Sequence, residues 1–309
     1  MANKKINYIM NIRYGKAFKI PRKILKHLLS SLYPVVIKFF PLPKVKSIDE
    51  TLDKISNDKV SICRFGDGEF LYIIDKLNLP FQNYVPKLRE KMIEILNSNN
   101  PNIIIGLPIG YYSLENLKLE AKTTWRSQIS WIYPRLKKYL PEGKIFYNAS
   151  MTRLYIDYKD TSKSAGYFEK VMKIWEGRSV VLLEGDKSRL GVGNDLFVKT
   201  IKVERILAPA HNAYDKINEL MKEALKQPKE KLILIAMGPT AKVLAYELAL
   251  QGYQAVDIGN VDVEYEWYLR GATSKTKIPG KYTSEAAGGR IVEVSNDEAY
   301  NAQIIKNLA

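Results

Sequence analysis

The 309-residue sequence predicts an α/β fold, a mostly parallel sheet with helices on both faces. Three observations carry that prediction. Short apolar runs such as 179–183 and 232–236 have the length and content of buried strands. Stretches with helical periodicity lie between them, as at Leu88, Met92, Ile95 and Leu96. The connections are short, so strands and helices alternate along one chain.

The elements follow in order. Residues 1–46 form a basic arm, distinct from a globular domain at 47–309. In the arm, residues 19–33 read as an amphipathic helix with Pro21 tolerated in its first turn. Ile20, Ile24, Leu25, Leu28, Leu29 and Leu32 share about half the circumference, opposite Lys19, Arg22, Lys23 and Lys26. Such a helix, with Tyr33, Phe39 and Phe40 adjoining, suits an anionic membrane surface. It equally suits a helix that packs its apolar face on the body and leaves its lysines in water. Pro41-Leu42-Pro43 reads as a stiff linker. The domain then predicts helix 48–55, strand 59–63, helix 70–76, helix 87–96, strand 103–106 and helix 123–140. Its second half predicts strand 179–183, helix 195–201, strand 205–207, helix 214–226, strand 232–236, helix 241–251 and strand 255–258.

Composition narrows the chemistry. One cysteine, Cys63, and two histidines, His27 and His211, leave no disulfide and no Cys- or His-rich zinc site. A metal would be held mainly by carboxylates, which favours Mg²⁺ or Mn²⁺. No run reaches ~18 uninterrupted apolar residues and no signal peptide is visible, so a cytoplasmic setting is expected. The arm holds eleven cations and no acid, leaving +4 of the net +15 for the body. Specific nucleic-acid binding is therefore not expected.

In a parallel sheet, ligands sit at the carboxyl ends of strands, so the loops there carry the candidate residues. Strand 59–63 runs into Arg64-Phe65-Gly66-Asp67-Gly68-Glu69. On extended backbone Asp67 and Glu69 would point the same way and could hold a divalent cation beside a nucleotide diphosphate. Asp67-Gly68 is also a turn signal, and Glu69 also suits a helix start. Strand 179–183 leads to a loop containing Ser188, Arg189, Gly191, Gly193, Asn194 and Asp195, where amides and a guanidinium could receive phosphate. Strand 232–236 leads to Gly238-Pro239-Thr240, a capped turn or a phosphate cradle. Strand 255–258 leads to Asp262, Glu264 and Glu266. Extended backbone would align all three, whereas a helix would pair Asp262 with Glu266. Residues 281–286 read as a loop closing over a ligand or as a polar surface segment.

Taken together, these loops resemble the bacterial GT-D type of glycosyltransferase, from about Ser47 to about Ala287. The group includes streptococcal glucosyltransferases that extend glycans on serine-rich adhesins. The resemblance implies a Rossmann-like transferase that takes a UDP-sugar, typically UDP-glucose, with Mn²⁺ or Mg²⁺ held by Asp67 and Glu69. It implies a glutamate base, Glu266 first and Glu264 second. It places Arg64, Gly66, Ser188, Arg189, Gly191, Gly193, Asn194, Asp195, Gly238, Pro239 and Thr240 on the nucleotide. Asn260 stands where the family carries histidine. The acceptor would be a glycan in cell-surface polysaccharide or glycoprotein assembly, lipid-linked if the arm holds the enzyme on the inner membrane face. A nucleotide-binding oxidoreductase and a noncatalytic nucleic-acid-binding protein are the rival readings; the incomplete glycine fingerprint, with Leu196 in third place, counts against the first.

Overall fold

A computed structural model describes residues 19–292 and 296–309. Residues 1–18 of the arm lie outside them. Eight parallel strands form one sheet: β1 (Ser61–Arg64), β2 (Ile103–Leu107), β3 (Tyr147–Asn148), β4 (Ser179–Gly185), β5 (Lys202–Ala208), β6 (Leu232–Ala236), β7 (Ala255–Asp257) and β8 (Ile304–Asn307). Their order is β3-β2-β1-β7-β6-β4-β5-β8. The predicted class is the observed one.

Side-chain alternation along the strands splits the core into two layers. Cys63, Ile105, Val181, Leu183 and Ile233 face one layer. There α3 (Asp67–Asp75), α4 (Pro86–Asn97), α5 (Leu119–Leu136), α7 (Ile217–Leu225) and α8 (Pro239–Leu250) bury Phe70, Leu88, Ile129, Leu220 and Leu244. Ile62, Ile104, Leu182 and Leu234 face the other, against Leu52 of α2 (Ile48–Asn57), Phe168 of α6 (Ser164–Lys173) and Tyr265 of α9 (Val261–Leu269). A short α10 (Glu298–Ala302) precedes β8.

The predicted helix at 195–201 is absent. That segment is a chain of turns, with Val198 N–H donating to Asp195 O and Thr200 N–H to Phe197 O. Asn194 Oδ1 takes the Leu196 amide, an alternative to helical bonding that asparagine favours. Gly193, at φ +78°, turns the chain just before this segment, and β5 begins directly after it at Lys202. The glycine loop therefore lacks a helix dipole behind it.

The arm helix is longer than expected, α1 (Lys19–Phe39), and continues through Pro34. Tyr33, Ile37, Phe40, Leu42 and Val45 pack on the core. The proline segment is bound rather than loose: Tyr133 donates to Pro41 O at 2.7 Å, and Phe146 exchanges backbone bonds with Lys44 and Lys46.

Strand order reverses direction between β1 and β7, where the crevice opens. One glycine makes that junction possible. Gly259 has φ +43°, and an added Cβ would lie 1.8 Å from Arg64 Nη2. The guanidinium is pinned by four partners and has nowhere to go. Gly259→Ala should therefore lower unfolding free energy by about 2–3 kcal/mol, read as an earlier midpoint in urea.

Candidate active site

The carboxyl ends of the strands frame a cavity of about 880 Å³. After β1 come Gly66, Asp67 and Glu69; after β4, Lys187 and Ser188; after β6, Gly238; after β7, Gly259, Asn260 and Asp262. One wall is α5, through Thr124, Trp125 and Gln128.

A chain of buried charges sets the floor. Arg64 Nη2 meets Asp257 Oδ1 at 3.0 Å, and its Nε donates to Asp257 O at 2.6 Å. Its Nη1 donates to Ala149 O and Thr152 Oγ1. Lys242, on α8, lies 3.6 Å from Asp257 Oδ2 and 2.9 Å from Glu69 Oε1. Burial alone would raise the Glu69 pKa, but Lys242 and the backbone amides hold it below the usual value. Arg64 thus lines the cavity while its hydrogen bonds are spent on the protein.

Asp67 and Glu69 do not sit on extended backbone. Both lie in the first turn of α3, where residues two apart diverge by ~200°. The helix starts at Asp67 because Glu69 folds back on it: its Oε2 accepts the Gly66 amide at 2.9 Å. Asp67 turns instead to α5, accepting Gln128 Nε2 at 2.7 Å. Gln128 Oε1 is buried without a hydrogen-bond partner. Among the described residues no group of three or more His, Cys, Asp or Glu side chains is placed to hold a metal.

The glycine loop turns away from the cavity beyond Leu190. Arg189, at φ +50°, is buried against Tyr300 with its guanidinium 4.7 Å from the ring centroid, and reaches Asp297 at 3.2 Å. Gly191 N–H and Asn194 Nδ2 donate to Asp262 Oδ1. Asp195 accepts the Tyr265 hydroxyl at 2.7 Å. Gly193 has open space beside it, and Pro239 and Thr240 are buried at the head of α8. Arg189, Gly191, Gly193, Asn194, Asp195, Pro239 and Thr240 do not line the cavity; Arg64, Gly66, Asp67, Glu69, Ser188 and Gly238 do.

The acidic segment is the helix α9, which pairs Asp262 with Glu266. Buried Lys281 bridges them, at 2.8 Å from Asp262 Oδ2 and 3.1 Å from Glu266 Oε1. Burial would raise Glu266, yet Lys281, Asn194 and Arg270 hold it below the ordinary carboxylate range. Glu264 has the opposite environment. Its Oε2 accepts the Tyr155 and Ile156 amides at 3.2 Å, and its Oε1 has no hydrogen-bond partner. Burial pushes it up to about 7 against the pull of Arg153, which is 4.0 Å away. Neither glutamate opens directly on the cavity.

Several cavity residues carried no local signal in the sequence. Arg153 follows the two-residue strand β3, too short to register as an apolar run. It pairs with Glu285 at 2.5 Å, and Lys275 joins at 2.9 Å. Despite burial, those two cations hold Glu285 far below its usual range. Asn260 also donates to Glu285, at 2.5 Å, so its amide ties α9 to the 281–286 segment. That segment does cover the cavity, through Tyr282, Ser284 and Glu285. The hydroxyls of Tyr158 and Tyr282 are buried at the cavity without partners.

Residues 62–286 match the family described as "Glycosyltransferase GT-D fold". The chain belongs to the GT-D glycosyltransferases. It is 37% identical over 268 residues to "Probable glycosyl transferase Gly" of Streptococcus gordonii, and 36% identical over 266 residues to "Glycosyltransferase GlyD" of Streptococcus pneumoniae. Each match covers 86% of this chain but only 39% and 32% of those longer relatives. Among solved GT-D structures, "The highly conserved domain of unknown function 1792 has a distinct glycosyltransferase fold" superposes with TM-score 0.84 at 33% identity, covering 90% of this chain and all of that one. A Streptococcus sanguinis glycosyltransferase gives TM-score 0.82 at 34% identity, over 86% of this chain and all of that one.

Two stability predictions follow from the GT-D site's electrostatics. Glu69→Ala leaves buried Lys242 with only the longer contacts to Asp257 and Gly238 O and should cost about 2–3 kcal/mol, with most recovered in Glu69→Ala/Lys242→Met, measured by urea titration. Glu264 binds its proton more tightly folded than unfolded, so stability should fall as pH rises from 4.5 to about 7. Glu264→Gln should flatten that slope, worth about 3 kcal/mol across the window.

Proposed function

We propose that the chain moves a hexose, such as glucose, from a UDP-sugar to a hydroxyl of a glycan acceptor, with inversion, in cell-surface polysaccharide or glycoprotein assembly. The observation carrying this reading is the cavity itself. Buried oxygens without partners on Gln128, which bonds Asp67, and on the lining residues Tyr158 and Tyr282 suit a polyhydroxylated ligand. The donor class follows the resemblance read from the strand-ending loops.

Asp67, with Gln128 Oε1 beside it, would hold Mn²⁺ or Mg²⁺, and Glu69 stands behind them on Lys242. This donor set is small but suits an ion that takes the rest of its ligands from substrate phosphates and water. Such an ion would neutralise charge on the departing diphosphate. Lys187 and Ser188 line the cavity and would meet the diphosphate in this reading. In the transfer step the acceptor oxygen bonds to the anomeric carbon while the bond from that carbon to the diphosphate oxygen breaks. The hydroxyl proton passes to a carboxylate.

That carboxylate is Glu264 in our reading, in preference to Glu266; it lies behind the cavity lining, so the proton would pass to it through one intervening water. A base works best with a pKa near the working pH, and Glu264 is pushed up to about 7 with one oxygen unengaged. Glu266 is held ionised by Lys281 and Arg270 and serves to position α9.

Thermal shifts against UDP-, GDP- and TDP-sugars, with and without Mn²⁺, test donor and cation together. The expected result is a Mn²⁺-dependent shift with a UDP-hexose alone. Asp67→Ala should lower kcat/KM by at least about a hundredfold, and EDTA should do the same to the native enzyme. Undiminished turnover in either case removes the metal. The rate should rise with pH through about 7, and Glu264→Gln should lose about a hundredfold in kcat with donor binding kept. A loss confined to Glu266→Gln returns the role to that residue.

A further inference from the structure

α1 turns an apolar face to water. Ile24, Leu25, Leu28, Leu32, Val35 and Phe39 are each more than half exposed. At ~100° per residue these six fall within about 100° of arc. A different side, with Tyr33, Ile37 and Phe40, meets the core, and Ser30 is buried there. The helix is therefore apolar on two sides and its own protein uses one. A contiguous exposed stripe of this kind marks an interaction surface.

We infer that the stripe docks on an anionic phospholipid bilayer. Charge decides the partner. Lys38 and Arg22 lie about 40° and 60° beyond the two edges of the stripe, Lys23 and Lys26 about 100° beyond them, and no acidic residue precedes Asp49. An apolar stripe on an all-cationic helix is complementary to a surface that is apolar within and negative at its face. The Lys38 stem, beside the stripe, can lie along the apolar surface while its ammonium group reaches phosphate, and the cations farther round add long-range attraction. The helix lies on the bilayer and does not enter it end-on, since no described helix is long and apolar enough to cross.

The neighbouring helix connects this surface to the cavity. α5 meets α1 through Arg126, whose guanidinium is 5.4 Å from the Tyr33 ring centroid, and Tyr133 donates to Pro41 O just past the end of α1. Other positions of the same helix, Thr124, Trp125 and Gln128, line the cavity. A bilayer seated on α1 thus lies about two helix diameters, roughly 20 Å, from the cavity. An acceptor glycan carried on a lipid would reach the site from there; this last clause rests on the transfer reading, whereas docking does not.

Flotation of the full chain with phosphatidylcholine vesicles, with and without phosphatidylglycerol, tests the inference without donor or turnover. Failure there leaves the transfer reading standing. The expected result is binding to the phosphatidylglycerol vesicles that weakens with salt, and little to phosphatidylcholine alone. Leu28→Glu/Leu32→Glu should lower the bound fraction about tenfold or more, since two leucines no longer bury. Its melting temperature and hydrolysis of the sugar donor should match the native chain, because both side chains face water. Equal binding by that variant overturns the inference, as does no preference for the anionic vesicles. So does gel filtration showing that the native chain dimerises and the variant does not, which would make the stripe a contact between copies. Flotation competed away by soluble heparin but indifferent to the leucine pair would reduce the arm to a general polyanion binder, and also overturns it.

Discussion

The site is organised around one buried carboxylate, Asp257, at the end of β7. Arg64 from the adjacent strand and Lys242 from α8 both reach it, and Lys242 passes the charge on to Glu69. Charges this buried are tolerable only with their hydrogen bonds complete. That requirement fixes the register of β1 against β7, the first turn of α3, the head of α8 and the turn at Ala149–Thr152. Gly259 is the backbone's concession to the same network. The cavity floor is therefore electrostatic where the sheet beneath it is aliphatic.

Much of the architecture was legible because strands buried on both faces read as plain apolar runs. Residues 232–236 and 103–106 needed no tertiary information. The class and the strand-end location of the cavity followed from alternation alone. Two failures were local and shared one cause: side chains competing with the backbone. Glu69 caps Gly66 and so begins α3 three residues early, which turns a convergent Asp67–Glu69 pair into a divergent one. Asn194 captures the Leu196 amide and stops a helix that periodicity allowed. Arg189 turned inward because Tyr300 and Asp297, more than a hundred residues later, offered a ring face and a carboxylate. No pattern within the loop could announce that. Gln128 was invisible for a simpler reason, being one polar residue in a long helix.

The acidic helix α9 shows how much neighbours decide. Glu264 and Glu266 are two residues apart on the same element, and their proton affinities move in opposite directions. Lys281 and Arg270 keep one as an ion-pair strut. The other is walled in by Tyr155 and Ile156, with two backbone amides and a distant guanidinium for company. Sequence identity of the residue type said nothing of this division; the partners came from segments 150–156 and 281–285.

Strand order also has a consequence for how the molecule comes to exist. β1 hydrogen-bonds to β2, about forty residues later, but its other edge waits for β7, nearly two hundred residues away. A growing polypeptide would expose the unpaired edge of β1 for most of its synthesis. Closing that gap is a long-range step of the slow kind, made only after β4, β5 and β6 exist. Until Ala255–Asp257 emerges, that edge has no strand of its own chain to pair with.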